Sequence, residues 1–255
     1  MYIKRIYLKN IRCFKELDLT FTNPEDGGKF ILFLGPNGVG KTTILRSIAL
    51  GLCDETSAAG LISELVGDIV RHDCNVKEGI IKIELQEKSS SESFTIETKI
   101  KPDIDESSSE REIRKIIPDG FPWDKLFLCG YGAARTAIGT STYKKYRIID
   151  AVYTLFNYES PLQNLEIPFY RLSHGESNSI EKSIFRRIEL VLDLPADSIR
   201  LDKSGISVNG PWGEFIPTGA IGDGYAATLA WISDMVGWAM LYQKRQFDID
   251  FPGIT

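Results

Sequence analysis

The sequence is poor in the residues that build metal sites and disulfide frameworks. Its four cysteines, Cys13, Cys53, Cys74 and Cys129, stand far apart, no CxxC pair occurs, and the only histidines are His72 and His174. A zinc site is therefore not expected. Scattered cysteines behind an N-terminus without signal-peptide character point to reduced thiols in the cytoplasm. Heptads and internal repeats are missing, which excludes a coiled-coil arm within this chain. Positive charge is not in excess: 30 Lys and Arg face 35 Asp and Glu, for a net charge of -5. Nucleic-acid binding would need a local basic patch. The densest cluster is Lys144, Lys145 and Arg147, which a solvated loop explains more simply. Long apolar runs are scarce too. Tyr225 to Tyr242 is mostly apolar, but it is short for a bilayer span and carries Ser233 and Asp234 at its middle, so it reads as a buried helix and not as a membrane partner.

What the sequence has is ordinary globular material. A chain of 255 residues, 43% hydrophobic and 25% charged, can bury a sizeable core as one large or two small domains.

Polar–apolar alternation predicts strands over Tyr2–Leu8 and Cys13–Phe21. Turn chemistry follows over Asn23–Gly28. Phe30–Leu34 is continuously apolar, the pattern of a strand buried on both faces. A helix is expected from near Gly40 to about Cys53, with Ile44, Leu45, Ile48 and Leu52 inward, and a second from Ala58 to Val70. Gly79–Leu85 and Ser93–Ile100 read as strands joined by a Ser-rich loop. Lys101–Pro118 reads as a charged surface excursion. Lys125–Cys129 reads as another short strand, followed by the Gly-rich Gly130–Gly139. Helices are expected over Ile148–Phe156, over Ser177–Leu192 (with Ile180, Ile184, Ile188 and Val191 at helical spacing) and over Gly224–Gln243. Ile199–Leu201 and Ile206–Val208 read as a hairpin around Lys203-Ser204-Gly205.

The chemistry-bearing motif is Gly35-Pro36-Asn37-Gly38-Val39-Gly40-Lys41-Thr42, which fits GxxxxGK[ST]. Its glycines let the backbone turn and approach phosphate oxygens without a Cβ in the way. The resulting N–H groups and the helix N-terminus suit anionic phosphate. Lys41 is placed to reach the β- and γ-phosphates of ATP. The Thr42 hydroxyl is placed to ligate Mg²⁺, and Thr43 to touch the α-phosphate.

The surroundings resemble a known group. A first strand ending in Lys9-Asn10-Ile11-Arg12-Cys13-Phe14, an acidic strand, and then a P-loop with Asn37 are similar to the opening of RecF, SMC and Rad50 ATPases. The resemblance implies that Arg12 contacts nucleotide phosphates; its forked guanidinium suits that role, and a surface arginine on a hairpin turn is the plain alternative. Leu126–Arg135 resembles the region that holds the Q-loop, but no glutamine stands in it. Tyr131 occupies roughly that place, and Arg135 either contacts phosphate or caps the segment. The Tyr-Gly segment is similar to a prokaryotic subgroup of ABC-like ATPases, grouped with AAA proteins, that often serves in anti-phage defence beside a nuclease or another toxic effector. Ile221-Gly222-Asp223-Gly224-Tyr225 resembles the signature motif, which in a head-to-tail dimer faces the γ-phosphate held by the other subunit. Gly222 replaces the usual serine, so N–H contacts survive and a hydroxyl contact does not. An ordinary turn starting a core helix is the alternative.

The fold expected on this basis is α/β: a P-loop NTPase of ABC-ATPase type, with a mixed sheet, an N-terminal antiparallel β subdomain and a helical signature subdomain. Residues 1–135 would form the ATP-binding lobe and 136–255 the helical subdomain. No Walker B strand, apolar and ending in Asp-Glu, is found. The nearest string, Ile188–Asp193, lacks the glutamate and reads as a helix end, while Phe247–Thr255 reads as the linker before such a strand. The C-terminal catalytic strands are thus expected to be absent and the catalytic residues are unassigned. The function implied is an ATP-driven switch that dimerises around ATP and Mg²⁺ and controls DNA, an effector nuclease or a toxin. A non-hydrolysing ATP-binding scaffold is the alternative. A small-molecule kinase is a more distant one, since it would need an Arg-bearing lid and an acceptor pocket after the P-loop helix.

Overall fold

Alternating residues at the start of the chain form two long strands, β1 (Tyr2–Ile11) and β2 (Phe14–Thr20), paired antiparallel from Arg5↔Thr20 to Ile11↔Phe14. The structure is a computed structural model and describes residues 1–21, 31–65, 68–73, 75–87, 92–102, 112–133, 143–163, 166–173, 178–203 and 205–243. The expected turn over Asn23–Gly28, Arg135 and the final Phe247–Thr255 lie outside the described residues.

The chain divides into two compact units. The first comprises Met1–Gly130 and Ile148–Asn157. It contains α1 (Lys41–Leu52), α2 (Glu55–Ser63), β3 (Gly79–Gln86), β4 (Ser93–Ile100), β5 (Ile113–Ile116) and α3 (Ile148–Val152), which continues into a 3₁₀ turn at Tyr153–Leu155. Its sheet runs β2-β1-β3-β4-β5, every pair antiparallel. On β3 alternate residues Ile81, Ile83 and Leu85 are fully buried, while Lys82 and Glu84 face outward. The outer face carries ion pairs such as Lys4–Glu84 at 2.8 Å and Lys82–Glu97 at 2.7 Å. Exposed pairs of this kind contribute only about 0–1 kcal/mol each, whereas each buried Leu or Ile contributes roughly 1.5–3 kcal/mol. The apolar inner face therefore decides the register.

The P-loop helix α1 covers that inner face. Ile44, Ala49, Leu50 and Leu52 are buried, and Gly51 lies so close to the sheet that an added Cβ would stand 2.9 Å from Ile83 Cγ1. Leu45, expected inward, is 42% exposed. At about 100° per residue it is turned away from the face that Ile44 presents. Arg46 is buried and donates from Nε to the Leu155 carbonyl at 2.9 Å. It fixes the helix against the 3₁₀ turn.

Other departures have local causes. Asp54 caps α2 by accepting from the Ser57 N–H at 2.9 Å, and the helix ends at Ser63 rather than running to Val70. Val70 is instead bridged to Ile11, and the Ile69 carbonyl accepts from the Arg12 N–H at 2.9 Å. Lys125–Cys129 forms no strand: Trp123–Lys125 is a 3₁₀ turn and Leu126–Cys129 runs on buried in the core. The charged excursion contains β5. Residues 31–34 are not a buried strand but irregular chain, with Leu32 63% and Leu34 81% exposed. A strand buried on both faces needs neighbours on its edges, and among the described residues none pairs with this one.

The second unit comprises Tyr131–Arg147 and Tyr158–Phe251, described as far as Gln243. It holds α4 (Ile167–Ser173), α5 (Asn178–Val191), an antiparallel sheet of β6 (Ile199–Asp202), β7 (Gly205–Gly210) and β8 (Gly213–Pro217), and α6 (Asp223–Gln243). Phe169, Ile188, Val208 and Leu229 form its core. Neither α4 nor β8 is evident from the sequence pattern. The Walker-B-like string is the end of α5, closed by Asp193 at φ 55°. Val191, expected inward, is 63% exposed, and Leu192 takes the buried place beyond Ile188. No helix among the described residues is long and apolar enough to cross a membrane.

Candidate nucleotide-binding site

The Gly35–Thr42 segment lies on the surface of the first unit and opens α1. Gly38 has φ 86° and Gly40 φ 101°, the left-handed region that residues with a Cβ avoid. At Gly40 there is also no room: an added Cβ would stand 2.5 Å from both Cys13 Sγ and Phe14 Cζ. Gly40 is the N-cap of α1 and provides no side-chain acceptor, so the first-turn N–H groups meet no side chain of the cap. Lys41 folds back over the loop, its Nζ donating to the Gly35 carbonyl at 2.7 Å and the Pro36 carbonyl at 2.8 Å. Thr42 is exposed, and Thr43 is buried. The result is a concentration of backbone donors and one ammonium at a helix N-terminus, an arrangement that favours an anion.

The turn between β1 and β2 abuts this loop. Cys13 Sγ lies 3.7 Å from the Val39 carbonyl. The neighbouring Asn10 and Arg12 have φ 55° and 42°. Arg12 is partly buried, and its turn is pinned by Arg71, whose Nη1 donates to the carbonyls of Arg12 and Cys13 at 3.1 Å each. Arg12 and the P-loop are thus brought together within one unit. Arg71 escapes sequence reasoning because it belongs to no motif and reaches the turn from 59 residues away.

Gly222–Tyr225 lie in the other unit. Gly222, Asp223 and Gly224 are exposed, and the Gly222 carbonyl accepts from the N–H groups of Tyr225 and Ala226 at 3.0 and 3.1 Å, opening α6. Tyr225 packs edge-on to Trp212, ring centroids 4.5 Å apart. Farther along α6, Asp234 is buried and accepts from the Tyr131 hydroxyl at 2.7 Å and the Gln163 N–H at 2.9 Å. Burial pushes its carboxyl above the usual range, against the opposing pull of these hydrogen bonds. Tyr131, matched by resemblance to the Q-loop position, is therefore bound to the signature-like helix within the second unit. Among the described residues no group of His, Cys, Asp and Glu could hold a metal ion.

The residues fit a triphosphate and Mg²⁺: open N–H groups, a lysine resting on carbonyl oxygens, and an exposed threonine hydroxyl beside it. A glycine-rich loop that opens a helix packed on a sheet defines the P-loop class of α/β proteins. The chain belongs to the AAA domain family, whose model matches residues 5–167. It is 24% identical to Septu protein PtuA of Bacillus mycoides along all of this chain and 33% of that protein. A 44% identity over 50 residues, 20% of this chain and 12% of the other, links it to the DNA replication and repair protein RecF of Leptospira biflexa. The chain thus spans about a third or less of the length of these curated relatives. The SMC head domain from Thermotoga maritima superposes with a TM-score of 0.45 at 15% identity, covering 96% of this chain and 74% of that one. The family and the relatives bear out the resemblance to RecF/SMC/Rad50-like ATPases.

Proposed function

We propose that this chain is the ATP-binding portion of an ATPase head that dimerises around ATP and Mg²⁺ and acts as a switch on DNA or an effector. The observation that supports it most is the loop itself: left-handed Gly38 and Gly40, an uncapped helix N-terminus, and Lys41 lying across the loop carbonyls. Gly35 to Gly40 would surround phosphate oxygens with N–H groups, and Lys41 would exchange its carbonyl partners for the β- and γ-phosphates. Thr42 would ligate Mg²⁺, Thr43 would lie near the α-phosphate, and Arg12 would add a guanidinium from the adjoining turn. Bound Mg²⁺ would neutralise phosphate charge. Gly222, Asp223, Gly224 and Tyr225 would meet the nucleotide of a second copy. The defence setting, beside an effector nuclease or toxin, rests on the resemblance of the Tyr131 segment and on the Septu relative. A DNA role rests on the RecF relative.

Lys41→Ala should abolish Mg·ATP binding in isothermal titration while leaving the circular dichroism spectrum intact; unchanged affinity refutes the site. The scaffold reading has its own support. Gly222 has no hydroxyl, and Asp223 sets a carboxylate on the first turn of α6, where negative charge opposes an incoming phosphate. ATP-dependent dimerisation without phosphate release would favour the scaffold over the switch.

A further inference from the structure

Asn10, near the end of β1, and Arg12, in the β1–β2 turn, hold left-handed backbone that side chains disfavour. Such a backbone persists only where its surroundings over-determine it, and here they do. The Arg71 N–H donates to the Asn10 carbonyl at 2.9 Å, and the Arg12 N–H donates to the Ile69 carbonyl at 2.9 Å. Arg71 then returns its guanidinium over the same turn, Nη1 reaching both consecutive carbonyls, Arg12 and Cys13. Its Nε is held in turn by Asp73. These are charge-assisted bonds from a planar fork, which fix direction as well as distance. The clamped turn has no slack on its other side. Cys13 and Phe14 fill the space that a Cβ on Gly40 would need, so a shift of the turn is a shift against the P-loop.

We propose that Arg71 is a positioning residue of the nucleotide site. It locks the Arg12–Cys13 turn, and through that turn it sets the place of the Arg12 guanidinium. The assignment rests on the reading of Gly35–Thr42 as a triphosphate site. Asp73 orients Arg71 and so acts one step farther out.

The test is Mg·ATP affinity by isothermal titration on the full chain, for wild type, Arg71→Ala, Arg71→Lys, Arg12→Ala, the Arg12→Ala/Arg71→Ala double variant, and Lys41→Ala. All are measured at a temperature where circular dichroism shows every variant folded. Arg71→Ala is expected to weaken binding roughly ten- to hundredfold, the scale of hydrogen bonds to a charged group. Arg71→Lys, which keeps the charge, should recover part of that loss. Because Arg71 acts through Arg12, the double variant should bind no more weakly than Arg12→Ala alone, a non-additivity that a merely structural arginine would not produce. Unchanged affinity in Arg71→Ala, with binding abolished in Lys41→Ala, overturns the role of Arg71 and leaves the P-loop reading standing. Fully additive losses overturn the route through Arg12. No ATP binding by wild type, or none lost in Lys41→Ala, overturns the P-loop reading and this assignment with it.

Discussion

At the scale of single residues, two groups with opposed titration shifts, Lys115 and Cys53, stand at the C-terminal end of the P-loop helix. The half-buried Lys115 ammonium donates to the Leu50 and Gly51 carbonyls at 2.6 and 3.1 Å, capping the C-terminal end of α1. Burial lowers its titration from 10.5 to about 8, although Asp54 and Glu55 favour its charge. Unfolded chain therefore binds this proton where folded chain has released it, so its contribution to stability rises from about pH 8 toward 10.5 and is lost as pH falls through 8. Burial acts in the opposite sense on the neighbouring Cys53 thiol, pushing it from 9.0 up to about 12, so its contribution is lost as pH climbs from about 9. Between about pH 7.5 and 9 the lysine governs. The thermal midpoint should rise over that window and flatten in Lys115→Met; an identical slope in the variant would refute this account. Little of this was legible in the sequence. The turn of Gly35–Thr42 into α1 was, because its glycines and the lysine stand at a motif's fixed spacing. Lys115, Arg71 and Asp234 were not, because each owes its role to a partner 59 residues or more away.

At the scale of elements, alternation was a reliable guide wherever one face of a strand is buried, and β1 to β4 were found within a few residues. It failed where pairing decides. The apolar run at residues 31–34 reads as a central strand but has no neighbour among the described residues, and Val70 bridges to Ile11 instead of extending α2. The short α4 and the half-exposed β8 carry too little periodicity to be seen. The contact that seats α1 is also invisible to pattern, since it depends on a missing side chain. At Gly51 a methyl group would overlap Ile83 Cδ1 and lie 2.9 Å from Cγ1 and 3.3 Å from Ile81 Cγ2. Overpacking of this kind costs about 1–3 kcal/mol, against a helix-propensity gain of about 1 kcal/mol for alanine. Gly51→Ala is expected to lose up to about 2 kcal/mol in urea unfolding with an unchanged denaturant slope. A stabilised variant would show that α1 can lift from the sheet freely.

At the scale of the whole molecule, the proposed ATP dimer and simple apolar clustering give different signatures. Ile31, Leu32 and Leu34, with Leu45 nearby in sequence on α1, expose large apolar side chains, and residues 31–36 belong to no helix or strand. Exposed apolar side chains grouped in this way favour association between copies. Ammonium sulfate strengthens apolar association by its exclusion from protein surface, so light scattering should show mass growth with salt in the absence of nucleotide. Leu34→Lys should suppress that growth, whereas Lys41→Ala should leave it intact and remove only the ATP-dependent increment. Growth that persists in Leu34→Lys would place the sticky surface elsewhere. On these expectations solubility and nucleotide response would answer to different residues on either side of Gly35, and each would be tuned without the other.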